Sequence, residues 1–178
     1  MRVPSNSNRL LLLALSILLC STADLLASSP QLSIIMPRGI QRGVEHELTF
    51  VGNRLQDTEE VLFYQGGVTV LGIEVVDDKN VKVKVQVSAD CELGEHIAQL
   101  RTRSGISEFR SFFVGALPAV AEAEPNGSLE EAQAIENNVT VTGIVTSEDV
   151  DLFKVAMGKG ERLAVEVEAL RLWTTLFD

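Results

Sequence analysis

Five oxygen-bearing side chains stand out for the chemistry they offer. Glu122, Glu124 and Asn126 lie in the stretch AEAEPNGSLEEAQAI, and Asp149 and Asp151 lie in SEDVDLF. Both sets occupy alternate positions. In an extended chain alternate residues face the same way. A fold that brought the two segments together would make the five side chains converge. A hard cation such as calcium takes six to eight oxygens from carboxylates, amide carbonyls, backbone and water. The five residues are therefore candidate metal ligands, and calcium is the candidate cofactor. The plainer alternative is a solvated acidic stretch followed by aspartates that cap backbone N–H groups in a turn.

Catalysis finds less support. Nucleophilic catalysis needs a base beside the nucleophile. The two histidines, His46 in EHELTF and His96 in GEHIAQL, sit in strand-like segments next to glutamates. They read as surface histidines on polar faces. The sequence has no G-x-S-x-G, H-E-x-x-H, C-x-x-C or P-loop pattern. Cys91 lies between Asp90 and Glu92. Negative neighbours raise a thiol's pKa, so it reads as a small buried or loop-edge residue and a poor nucleophile. The expectation is a protein that is not an enzyme.

These residues must be held by a fold, and composition bounds what that fold can be. The chain has 178 residues, enough for one large or two small domains. It is 46% hydrophobic and 22% charged, which argues for a globular protein. Only 5% of residues are aromatic, so stacking on bases or flat sugars has few candidates. The formal net charge is −10. Such a surface repels nucleic-acid phosphates and anionic membranes.

The N-terminus carries a targeting pattern. Arg2 and Arg9 precede an apolar run from Leu10 to Cys20, followed by the small residues Ser21-Thr22-Ala23. This reads as a cleaved signal peptide over residues 1–23. The run is about half of the ~20 residues a bilayer span needs. Leu19 before Cys20 does not fit a lipoprotein site, which takes a small residue there. Cleavage would remove Arg2 and Arg9 and move the net charge from −10 to −12. It would also remove Cys20, leaving Cys91 without a partner for an internal disulfide. The expected location is secreted, periplasmic or cell-surface, with no membrane span after cleavage. The sequons at Asn126 and Asn138 are too short to be informative.

Beyond the signal the pattern is strand after strand. QLSIIM is a short apolar run and EHELTFVG alternates. EEVLFYQGGVTVLGIEVV reads as two strands about Gly66-Gly67. In NVKVKVQVS, Val81, Val83, Val85 and Val87 point one way and Lys82, Lys84 and Gln86 the other. GEHIAQLRT and EFRSFFVG follow, joined through Ser104-Gly105. Seven short strands at this spacing predict an immunoglobulin-like antiparallel β-sandwich. There is no Cys–Trp–Cys pattern of the antibody type.

MPRGIQRGVEHELTFVGNRL and LGEHIAQLRTRSGISEFRSFFVG resemble the opening and ending of a TIG/IPT domain, and the resemblance covers most of residues 30–115. It implies an Ig-like fold and says almost nothing about a ligand.

Residues 116–121 read as a linker, with Pro118 and Pro125 bracketing small and acidic residues. Ser128 followed by Glu131 forms a capping box and predicts a short helix from Leu129 to about Ile135, with Leu129, Ala132 and Ile135 near one face. VTVTGIV, DLFKVAM and ERLAVEVEAL then read as strands. EAEPNGSLEEAQAI and VTGIVTSEDVDLFKVAMGKGERLAVEVEA resemble the start of a pre-peptidase C-terminal (PPC) domain. The resemblance implies a second small, jelly-roll-like β-sandwich over residues 122–178. The pairing of modules is similar to secreted proteins of planctomycete-type bacteria. Some calcium-binding PPC-like domains place ligands where Glu122, Glu124, Asn126, Asp149 and Asp151 stand; Gly127 occupies a position that often carries a further acid. A sandwich takes about 100 residues, whereas 122–178 offers about 57. The second sandwich is therefore expected to be incomplete, through fragmentation or truncation, with completion of the sheet by a partner chain as the alternative, and to aggregate if expressed alone.

The expected fold is all-β: one Ig-like sandwich plus part of a second, with one short helix. The expected function is a secreted, non-catalytic interaction, spacer or substrate-attachment protein, with an extracellular protein or polysaccharide as partner. The alternative is an accessory portion of a larger secreted peptidase or other hydrolase.

Overall fold

The valine ladder of residues 81–87 is the centre of the molecule. In the computed structural model, which describes residues 29–146 and 148–168, Val81, Val83, Val85 and Val87 are all completely buried. Each contributes about 1.5–3 kcal/mol of burial. The intervening lysines stay at the surface, so the period of two is realised as one dry and one wet face.

Two sheets close over this core. The first has the order β1 (Gln31–Met36), β3 (Glu45–Asn53), β6 (Asn80–Val87), β5 (Val68–Val75), all antiparallel. The second has the order β2 (Gly39–Gln41), β9 (Arg110–Gly115), β7 (Gly94–Thr102), β4 (Thr58–Phe63), with β8 (Gly105–Ile106) hairpinned onto β7. β2 and β9 run parallel; the other pairs in this sheet are antiparallel. Phe50 of the first sheet and Phe112 of the second are fully buried in the shared core. Phe63 packs edge-on to Phe112 with ring centroids 5.9 Å apart.

Gly66-Gly67 does form a turn, but not a hairpin. β4 pairs with β7 and β5 with β6, so the turn carries the chain from one sheet to the other. Gly67 has φ +94°, and a Cβ there would stand 2.7 Å from Cys91 Sγ. The left-handed backbone and the buried thiol behind it both favour glycine.

The second unit is small. β10 (Ala119–Ala121) pairs with β12 (Thr140–Thr142), and β11 (Gln133–Ile135) pairs with β13 (Phe153–Val155); both pairs are parallel. β10 lies within the stretch 116–121 expected as a linker.

The helix expected at Leu129–Ile135 does not form; among the described residues there is no α-helix. The Ser128–Glu131 hydrogen bonds are made, but they close a single turn. Glu131 N–H donates to the Ser128 carbonyl at 3.1 Å and to its Oγ at 3.3 Å. The chain then goes straight into β11. Gln133 N–H donates to the Leu152 carbonyl, and its side chain bonds Ala121 O and Ala123 N–H. Seven residues are too few to offset the cost of helix nucleation against these partners. Leu129 is exposed and Ala132 buried.

No strand forms over residues 161–168. Leu163, Val165 and Val167 keep the expected alternation but are exposed. A strand exists only as part of a ladder, and none reaches this segment among the described residues. The expected signal peptide over residues 1–23 and the last part of ERLAVEVEAL lie outside the described residues.

Candidate functional site

Glu122 leaves β10 at the point where β12 also ends. Its N–H donates to Thr142 O at 2.9 Å, and its Oε2 accepts from Ile144 N–H at 2.9 Å. Gly143 lies between those two residues, and a Cβ there would stand 2.1 Å from Glu122 Oε2. The close approach of this carboxylate to β12 therefore depends on glycine.

Asn126 is the pivot. It is completely buried. Its Nδ2 donates to Glu122 Oε1 at 3.2 Å, and its own N–H donates to Glu124 Oε2 at 3.0 Å. Its carbonyl accepts from Leu152 N–H at 3.1 Å, which ties the acidic opening to the segment carrying Asp151. Its Oδ1 has no hydrogen-bond partner. Neither has the buried Oδ1 of Asp151.

One carboxylate oxygen from each of Glu122, Glu124 and Asp151 falls within 4.8 Å of the others. Like charges this close cannot all be tolerated unscreened. The Glu122 carboxyl hydrogen-bonds Asp151 and raises its pKa to about 6, helped by desolvation and by the charges of Asp149 and Glu124. Glu122 is held below its ordinary value by the same Asp151 hydrogen bond, then by the Ile144 N–H and Asn126.

Four of the five residues singled out by spacing thus come together: Glu122, Glu124, Asn126 and Asp151. Asp149 lies beside them but is occupied differently. Its Oδ2 accepts from Thr146 N–H and Thr146 Oγ1, both at 3.0 Å, and these bonds lower its pKa. It caps a turn, the alternative role open to an aspartate there.

Three converging carboxylates suit a hard divalent cation. The unpartnered Asn126 Oδ1 is the telling feature. A buried amide carbonyl without a donor is costly.

The histidines are not on polar faces as expected. His96 is 2% exposed and stacks at a tilt on Phe112, with centroids 5.7 Å apart. Its Nε2 lies 2.8 Å from the Glu92 carbonyl and so must carry the hydrogen. Cys91 Sγ is 4.0 Å from that same nitrogen, which therefore has no lone pair to take the thiol proton. Burial, then Asp90, raises the Cys91 pKa further. His46 is half-buried, with Nε2 2.8 Å from Gln41 O. The signal that could have found it is the alternation of β7, which places His96 in register with Ala98 and Leu100.

No family model matches the chain, and no curated protein matches it.

Proposed function

We propose that this chain is a secreted, non-catalytic β protein, a TIG/IPT-like sandwich followed by PPC-like sequence, whose second unit is organised by a bound calcium ion. Its role is interaction, spacing or substrate attachment at the cell exterior. The observation that carries the cation reading is the convergence of three carboxylates beside the completely buried Asn126, whose Oδ1 has no hydrogen-bond partner. Glu122, Glu124, Asp151 and Asn126 would supply the protein oxygens, with water or further carboxylate oxygens completing the shell. The non-catalytic reading is supported by the engagement of both histidines with the backbone, His96 with the Glu92 carbonyl and His46 with the Gln41 N–H and carbonyl. Secretion is supported by the signal pattern of residues 1–23.

A cation that binds only the folded protein raises its stability by mass action, about 2.7 kcal/mol at a hundredfold excess over Kd. The melting temperature of the chain is therefore expected to rise in calcium relative to chelator. The rise should vanish in Glu122→Gln. An identical melting temperature in calcium and chelator would refute the cation site.

A further inference from the structure

Residues 161–168 have the sequence of a strand and none of a strand's bonds. In an extended chain the run ERLAVEVE sets Leu163, Val165 and Val167 on one face and Arg162, Ala164 and Glu166 on the other. Leu163, Val165 and Val167 are 54%, 75% and 79% exposed. Among the described residues, no hydrogen bond or ion pair reaches residues 162–167. Unpaired backbone beside exposed, alternating apolar side chains is a template for a further strand.

The segment leaves a fixed turn. Glu161 N–H donates to the Gly158 carbonyl at 3.1 Å, and Gly158 N–H donates to Glu161 Oε2 at 2.6 Å. Gly160 has φ +90°, a left-handed backbone that glycine adopts without strain.

Charge decides what the segment matches. Arg162 and Glu166 are both exposed. In an extended chain they share a face about 13 Å apart, too far for a close ion pair. They stand symmetrically about Ala164. A second copy running antiparallel, with the two-fold axis at Ala164, sets each Arg162 opposite Glu166 of the second copy. The same register sets each Leu163 opposite Val165 of the second copy and leaves the small side chain of Ala164 at the axis. Parallel pairing in register would set Arg162 against Arg162 and Glu166 against Glu166, which is repulsive. A register centred on Val165 would set Arg162 opposite Glu168, which is already engaged in its own chain.

We propose that two copies of this chain associate by antiparallel pairing of residues 162–166 about Ala164. A two-stranded ribbon is marginal by itself. Phe153 and Met157, which precede the turn, are also exposed and enlarge the apolar surface that association covers. The formal net charge of −10 opposes contact between copies. Pairing therefore depends on the local match of Arg162 with Glu166.

The test is sedimentation equilibrium of the purified full chain over a hundredfold range of concentration. The wild type should show a monomer–dimer equilibrium. Val165→Lys and Arg162→Glu should each weaken dimerisation at least tenfold. The double variant Arg162→Glu, Glu166→Arg should restore it to within threefold of the wild type, because the swap preserves every cross-strand charge pair. All these side chains are exposed in the single chain, so the melting temperature of dilute, monomeric protein should not change. A wild type that stays monomeric overturns the proposal, and hydrogen-exchange protection of residues 162–167 in that monomer would show that the chain covers the segment itself. Dimerisation unchanged by Val165→Lys overturns the choice of segment. Failure of the double variant to recover overturns the antiparallel register. Open-ended growth beyond the dimer overturns the closed two-fold pairing.

Discussion

A carboxyl that keeps its proton to about pH 6 reports what surrounds it, and Asp151 is such a group. Between its ordinary value of 3.8 and about 6, the folded chain holds a proton that the unfolded chain has released. Stability therefore falls as pH rises through that window. Glu122 acts in the opposite sense, since its lowered pKa contributes stability above 4.5 that is lost as pH falls. Above about pH 6 the pair carries both charges, and a bound cation would take the proton's place. In chelator, the melting temperature of the second unit should be lower at pH 7.5 than at pH 5.5. In saturating calcium this decline should disappear, and calcium affinity should increase with pH across the same range. A decline of equal size with and without calcium would separate the pair from any metal.

At the scale of elements, the site depends on where β10 and β12 end. Glu122 and Ile144 meet across Gly143, and there is no room for a side chain between them. Gly143→Ala should force Glu122 away from the Ile144 N–H and disrupt the acid cluster. We expect a loss of about 1–3 kcal/mol, the usual range for overpacking, and at least tenfold weaker calcium binding. Denaturant melts and calcium titrations of the variant measure both. Strand identity was largely legible in the sequence, because a period of two is local: the valines of β6 and the alternation of β7 needed no tertiary context. The capping signal at Ser128 predicts a helix at Leu129–Ile135 that does not form, because capping is local and tertiary hydrogen bonds to Gln133 outweigh it. The glutamate beside His96 suggests a wet face, whereas strand alternation places the ring inside. The parallel pairings of β2 with β9 and β10 with β12 had no local signal at all.

Across the whole molecule, the two units have different means of support. The sandwich has a continuous apolar core drawn from both of its sheets. The second unit has two short parallel pairs, few buried apolar residues, and the tie between Asn126 and Leu152. Alternate spacing brought out all five candidate ligands, but which of them converge is a tertiary fact: Asp149 turns to Thr146, while Asn126 becomes the buried centre. The central claim is that this centre holds a cation. Its most direct test is calorimetric titration of calcium into chelator-stripped protein. The account predicts saturable binding at one ion per chain in the wild type, weakened at least tenfold by Asp151→Asn and unchanged by Glu47→Gln. No saturable binding, or equal binding by wild type and Asp151→Asn, would contradict it.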